Sequence, residues 1–249
     1  MGSTFAKVKL LRHTPDPEEL VAMSARLCYS AASIEEIAEG VSRENQAGFI
    51  KKIMSMGHLT VLEHVSFTFG IEGVSRSMLA QITRHRIASF SVQSQRYVGE
   101  TTSQNRGDTF GFIVPEKVKQ LGEEAVEEFC SQMSQIQRWY DGWVESFGGR
   151  RSGYEDARFV LPNAAETKII VTMNARELIH FFKLRCCNRA QWEIRAVANE
   201  MLRQVKKVAP TIFKEAGPGC VSGPCPEGQF SCGKAEEVRN YYLNDAEEI

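Results

Sequence analysis

No stretch of this chain approaches the roughly 18 consecutive apolar residues that a membrane span requires. Met1 to Leu11 carries Lys7 and Lys9 among its apolar residues and lacks the apolar core of a secretory signal. Neither sign of charge is in excess: 30 Lys and Arg stand against 31 Asp and Glu, a formal net charge of −1. A dedicated nucleic-acid or membrane-surface binder would show a basic surplus, so any anion site must be local. Seven cysteines spread from Cys28 to Cys232 are too few, and odd in number, for a disulfide framework in 249 residues. Reduced thiols and a cytoplasmic location are expected. There is no internal repeat, no low-complexity tract, and no Gly/Ser linker in the first two hundred residues. Nor does a G-x-G-x-x-G follow a candidate strand, or a P-loop occur anywhere, so nucleotide binding cannot rest on either fingerprint.

What remains is an ordinary globular chain, 43% hydrophobic, that reads as one continuous domain. Val8 to Leu11 suits a short strand, and Pro17-Glu18-Glu19 opens a helix through Cys28. Ser33 with Glu36 forms a capping box, and Gly40 is the expected stop. A helix from about Arg43 to Met56 should end at Gly57. Val65, Phe67, Phe69 and Ile71 alternate with small or polar residues, the period of a half-buried strand. Met78, Leu79 and Ile82 place a helix over Ser75 to Arg86, with Arg84, His85 and Arg86 at its end. The longest helix is expected to run from Pro115 to Gly148-Gly149, its apolar face including Met133, Trp139 or Tyr140, Trp143 and Phe147 and serving as core or subunit interface. Lys168 to Met173 suits a second strand, Asn174 an N-cap for a helix to about Cys187, and Ala190 to Val208 a final helix. The fold class is α+β, a mixed, helix-dominated chain.

The most informative stretch is Arg84 to Arg96, with three Arg, one His and three Ser in thirteen residues. Guanidinium forks donate paired hydrogen bonds to phosphate oxygens, and Ser89, Ser91 and Ser94 add short donors. Composition equally allows Arg84, His85 and Arg86 simply to complement a helix C-terminal dipole. A second cluster comprises Asn174, Arg176, His180 and Arg185; Arg176 and His180 share a helix face, and Arg185 lies near the stripe of Leu178, Phe181 and Phe182. An arginine on an apolar face needs a bound anion or an acidic partner such as Glu193. His58 and His64 are six residues apart, lack the spacing of helical ligand pairs and find no third histidine nearby, so no metal is assigned to them.

Arg84 to Arg96 resembles the R-H-R-x-x-S-x-N-x-x-S-x-R signature of the flavin-dependent thymidylate synthases, matching six of seven defined positions, with Ser91 in place of Asn. Further blocks occur in family order: Gly57-His58 to Glu63-His64 with Ser66 to Phe69, Ala157 to Pro162, Met173 to Arg176, Leu184-Arg185, and Ala190 to Ile194. The resemblance spans roughly residues 55 to 210. It implies a central antiparallel sheet in a single-domain subunit of a homotetramer, with FAD between subunits. The implied reaction converts dUMP to dTMP, with methylenetetrahydrofolate as carbon donor and reduced FAD, recharged by NADPH, as hydride source. Carried over by position, His58, Thr60, Arg84, His85, Arg86, Asn174, Arg176 and His180 are the expected FAD contacts, His180 standing where relatives often have Asn. Gln81, Arg84, Val92, Gln93, Ser94, Gln95, Arg96, Arg158 and Arg185 are the expected dUMP contacts, with Val92 in place of a polar residue. Arg185 is the catalytic candidate: a guanidinium beside the pyrimidine N3–C4=O edge would stabilise the N3-deprotonated ring. No base is evident to make Ser94 a nucleophile.

The family-like catalytic domain is assigned to residues 1–215 and a Cys-containing extension to 216–249. Cys220, Cys225 and Cys232 lie among turn formers there; three thiolates plus a further ligand could hold zinc, but spacings of four and six fit no standard zinc module and no metal is assigned. The Pro224-Cys225 dipeptide also occurs at the nucleophile of the classical thymidylate synthases, which the surrounding sequence does not resemble. The alternative to an enzyme is a cysteine-clustered nucleic-acid or phosphate-binding module without catalysis, or a helical scaffold with ion-paired arginines. Neither nucleic acid nor membrane is expected as a partner.

Overall fold

A computed structural model describes residues 3–42, 46–149 and 151–244. It is helix-rich, with four strands, β1 (Lys7–His13), β2 (Ser66–Ser75), β3 (Ala88–Val92) and β4 (Glu166–Asn174). They form an antiparallel sheet of order β1-β2-β4-β3. The register is marked by the Thr68 and Thr172 hydroxyls, 2.9 Å apart, and by the Gln93 N–H donating to the Lys168 carbonyl at 3.0 Å. Residues cluster into two compact units, one of Met1–Lys7, Ile71–Arg84 and Phe90–Ile170, the other of Val8–Gly70, His85–Ser89 and Val171–Ile249.

In the second unit, α1 (Pro17–Leu27) begins on its proline as expected, and α2 (Ile34–Ser42) is preceded by the reciprocal Ser33–Glu36 capping box. Gly40 does not stop α2, which continues to Ser42; glycine lowers helix propensity without breaking the backbone ladder. α3 (Ala47–Ser55) ends just before Gly57, and the expected start at Arg43 falls outside the described residues. A 3₁₀ turn over Thr60–His64 leads into β2. α8 (Ala175–Arg185) and α9 (Trp192–Val208) bury Leu178, Phe181, Phe182, Ile194, Met201 and Leu202. Phe213 packs edge-on against Phe67 and Phe182, with centroids 5.4 and 6.1 Å apart. The expected N-caps hold: the Asn174 side chain accepts from the Glu177 N–H at 2.8 Å. Toward the C-terminus a 3₁₀ turn over Gly228–Phe230 precedes α10 (Ala235–Asn244).

In the first unit, α4 (Arg76–Ile82) is capped by Ser75 and is shorter than the sequence pattern predicts. It stops four residues before Arg86, so Arg84, His85 and Arg86 lie on the connection into β3 rather than at a helix end. The strand β3 is not among the elements expected from sequence; in it half-buried Ala88, Phe90 and Val92 alternate with exposed Ser89 and Ser91. The long helix expected from Pro115 is two helices, α5 (Glu116–Gln120) and α6 (Glu123–Ser146). Gly122 separates them with φ 107°, a conformation closed to other residues in a helix. α7 (Tyr154–Ala157) follows a 3₁₀ turn. On α6, Met133 and Tyr140 are buried, whereas Trp139 and Trp143 are half exposed, the latter stacked on Phe147 at 5.6 Å. Gln137 accepts from the Phe110 N–H and donates to the Glu100 carbonyl, both at 2.7 Å, which ties α6 to the chain that follows the Arg84–Arg96 motif.

Candidate active site

In the second unit, α8 delivers three of the predicted residues. Arg176 lies in its first turn, His180 one turn on, and Arg185 at its last position. His85 is buried against this helix, its ring 4.9 Å from that of Phe181 and 6.0 Å from that of His180. Its Nδ1 is 3.0 Å from Glu177 Oε1, and its Nε2 is 3.1 Å from Arg185 Nε. The Arg185 N–H can only donate, so Nε2 must be the acceptor and Nδ1 must carry the proton that goes to Glu177. The imidazole is therefore neutral. Burial, opposed by Glu177 and helped by the Arg185 charge, pushes its pKa below the ordinary 6.5.

Glu177 is not among the residues singled out from sequence, yet it completes this relay. The signal is present: Glu177, Phe181 and Arg185 recur every four residues along one helix stripe. His85, Glu177 and His180 have ligand atoms within 4.8 Å of one another, the closeness of a metal site. Here, however, the Arg185 guanidinium donates into the same ring and already supplies positive charge.

The other expected flavin residues of this unit are exposed, apart from Asn174, the half-buried cap of α8. His58 follows α3, its Nε2 3.3 Å from the Tyr29 hydroxyl. Thr60 opens the next turn, Arg86 is exposed, and Arg176 forms an ion pair with Glu63 in which both side chains are about half exposed. An exposed set of cationic and hydroxyl donors fits a group that carries a pyrophosphate and a polar ring.

The first unit holds most of the expected nucleotide contacts. Gln81 lies on α4, and Arg84 is exposed just beyond it. Val92 ends β3, and Gln93 continues its pairing with β4. At Ser94 the chain turns: its hydroxyl accepts from the Arg96 N–H at 3.2 Å and its carbonyl from the N–H groups of Tyr97 and Val98. Gln95 Nε2 is buried and has no hydrogen-bond partner. Arg96 pairs with Glu155 at 2.8 Å, and Arg158 Nε donates to the Glu155 carbonyl at 3.0 Å.

Arg151, not singled out from sequence, sits over the Tyr97 ring at 4.8 Å and lines with Arg96, Ser152 and Glu155 a cavity of about 290 Å³. Two guanidiniums against one carboxylate leave this lining cationic. The pKa of Arg76 is lowered by burial and then by the charge of Arg158. Arg96 and Arg176 thus do have carboxylate partners, as a purely structural role would require, but the ion pairs are solvent-exposed and contribute little stability.

The profile of the family described as thymidylate synthase complementing protein matches residues 9–211. The chain is 58% identical over 236 residues to a flavin-dependent thymidylate synthase from Geobacter sulfurreducens, covering 95% of this chain and 97% of that protein. A flavin-dependent thymidylate synthase from Clostridium tetani is 50% identical, with 97% and 99% covered. The crystal structure of a UMP/dUMP methylase, PolB from Streptomyces cacaoi bound with 5-Br dUMP, shares the fold with a TM-score of 0.69 at 23% identity, covering 85% of this chain and 94% of that one. On these matches the chain belongs to the flavin-dependent thymidylate synthase family.

Proposed function

We propose that this chain makes dTMP from dUMP, with methylenetetrahydrofolate as carbon donor and reduced FAD, recharged by NADPH, as hydride source. We place it in a homotetramer with FAD between subunits, with residues 1–215 as the catalytic domain and 216–249 as an extension. When bound, the flavin supplies a hydride that no side chain can offer. His58, Thr60, Arg84, His85, Arg86, Asn174, Arg176 and His180 would hold it, with the arginines meeting its phosphates. Ser94, Gln95 and Arg96 would hold the phosphate of dUMP, with Gln81, Arg84, Val92, Gln93 and Arg158 completing its seat.

Arg185 would stabilise the N3-deprotonated pyrimidine and so enrich the ring in electrons, without any covalent attachment to the enzyme. The observation that carries this reading is the relay Glu177–His85–Arg185, which fixes one guanidinium on a neutral imidazole. Because the imidazole is uncharged, its hydrogen bond orients the Arg185 guanidinium without cancelling the positive charge that would meet a developing anion. The test is an absorption spectrum of the purified protein before and after NADPH, with and without dUMP, coupled to detection of dTMP after methylenetetrahydrofolate is added. A yellow protein that bleaches and forms dTMP is expected. A colourless protein, or one whose flavin bleaches without yielding dTMP, would overturn the proposal.

A further inference from the structure

Four of the seven cysteines converge on one place remote in sequence from the signature motif. Cys187, just beyond α8, lines a small cavity together with Cys220, Cys225 and Cys232. All four are free thiols, and Cys220 is 6% exposed. The turn formers around them make this convergence possible. Gly219 sits where a Cβ would lie 2.7 Å from the ring of Pro226, so the strands of chain carrying Cys220 and Cys225 press directly on one another.

Surrounding contacts brace the chain segments that carry Cys220 and Cys232. Arg239 donates to the carbonyls of Cys220 and Gly223 at 3.2 and 3.0 Å. Arg189 donates to the Phe230 carbonyl at 2.8 Å, lies 5.0 Å over the Phe230 ring and pairs with Glu227. Asn188 Nδ2 points at Cys232 Sγ at 3.7 Å. N–H groups directed at sulfur are the usual support of thiolates bound to metal.

We propose that Cys187, Cys220, Cys225 and Cys232 are the four ligands of a thiolate-bound metal centre, an iron–sulfur cluster rather than a single zinc ion. The fourth ligand, which the spacing of the last three cysteines left unnamed, is the one contributed from the end of α8. The choice between the two rests on the spacing of the sulfurs.

A tetrahedral zinc with Zn–S of about 2.3 Å draws its sulfurs to within ~4 Å of one another. Among the described residues, no three of these sulfurs lie within 4.8 Å, whereas His85, Glu177 and His180 do. A four-iron cubane is several ångströms wide and takes its four cysteines at its corners, at wider spacing. The Pro226 that follows Cys225 also fits, since proline commonly follows a cluster cysteine. Cys187 stands two residues beyond Arg185, and the carbonyl of the intervening Cys186 accepts from the Tyr242 hydroxyl of α10 at 3.3 Å. The centre would therefore clamp the C-terminal segment onto the end of the helix that presents Arg185.

The full chain, produced with iron supplied and purified without oxygen, should contain about four iron and four acid-labile sulfide per chain. A dithionite-reduced sample should give a cluster signal in electron paramagnetic resonance, distinct from any flavin radical. Cys220→Ser with Cys225→Ser should lose more than nine-tenths of the iron while its flavin content stays within a factor of two. If that variant fails to fold, alkylation of the unaltered protein under native conditions serves instead. Cys187, Cys220, Cys225 and Cys232 should be protected until a chelator is added, while Cys28 reacts at once. One zinc per chain without sulfide would overturn the cluster, and metal-free protein with all four thiols open to alkylation would overturn the whole site.

Discussion

Arg185 donates its Nε–H to Nε2 of buried His85 at 3.1 Å, and this contact can exist only while His85 is neutral. The groups facing the ring are Glu177, Arg185 and His180, and the net effect of burial and these charges is a pKa below 6.5. In the unfolded chain His85 takes up a proton near 6.5, before the folded form does. Between the two values the unfolded state therefore binds more protons, and acid favours it. This contribution to stability is fully present above pH 6.5 and is lost as pH falls below it.

The measurement is the melting temperature from pH 8 to 5 for the parent and for His85→Gln, whose amide cannot titrate. The parent should lose stability across this window more steeply than the variant. Parallel curves would show that His85 does not titrate as its surroundings require.

Arg185→Ala should lower turnover roughly 10²- to 10³-fold, the usual effect of deleting one preorganised donor. Arg185→Lys should not restore it, because an ammonium cannot donate to His85 and to a substrate in one plane. Both variants should keep their flavin. Isothermal titration with dUMP and the visible spectrum separate the two functions, and a variant that binds dUMP normally and turns over at the parental rate would remove Arg185 from the chemistry.

Much of this arrangement was legible in the sequence, and the failures share a cause. Helix N-termini were read well because a cap is a local hydrogen bond: Ser33 with Glu36, and Asn174 with Glu177, need only their own neighbours. Helix ends were read poorly. Gly40 has ordinary helix geometry and Gly122 does not, a difference set by φ that residue type alone does not reveal. Arg84 to Arg86 were placed on a helix because the apolar period runs into them, yet the chain must leave the helix early to enter β3. Pairings between distant residues were the least legible. Glu177 meets His85 across 92 positions, and Cys187 and Cys220, 33 positions apart, line one cavity, arrangements that only the folded backbone brings about.

The Asn174 cap makes a separable contribution. Its side chain accepts from the N–H of Glu177, the third residue of α8, the helix that carries Arg176, His180 and Arg185. Asn174→Ala should cost about 1 kcal/mol, which for a chain of this size corresponds to a fall in melting temperature of about 2–4 °C. Asn174→Asp or Asn174→Ser, which retain a capping oxygen, should recover most of the stability in a thermal melt. If Asn174 also touches flavin, these two variants will be stable yet bind flavin more weakly, so the two roles are read independently.

Gln95 offers the reverse case. Its Nε2 is buried without a hydrogen-bond partner, so in the free protein the group costs stability rather than contributing to it. Removing the donor should therefore leave the free protein no less stable: Gln95→Met keeps the length and apolar volume of the side chain while deleting the amide. If the amide is held ready for the phosphate of dUMP, as its place between Ser94 and Arg96 suggests, the same change should weaken dUMP binding about 10- to 100-fold, the value of a hydrogen bond to a charged acceptor. Thermal melts without ligand and dUMP titrations make the comparison. A loss of stability with unchanged dUMP affinity would mean that Gln95 serves the packing of the turn and not the nucleotide.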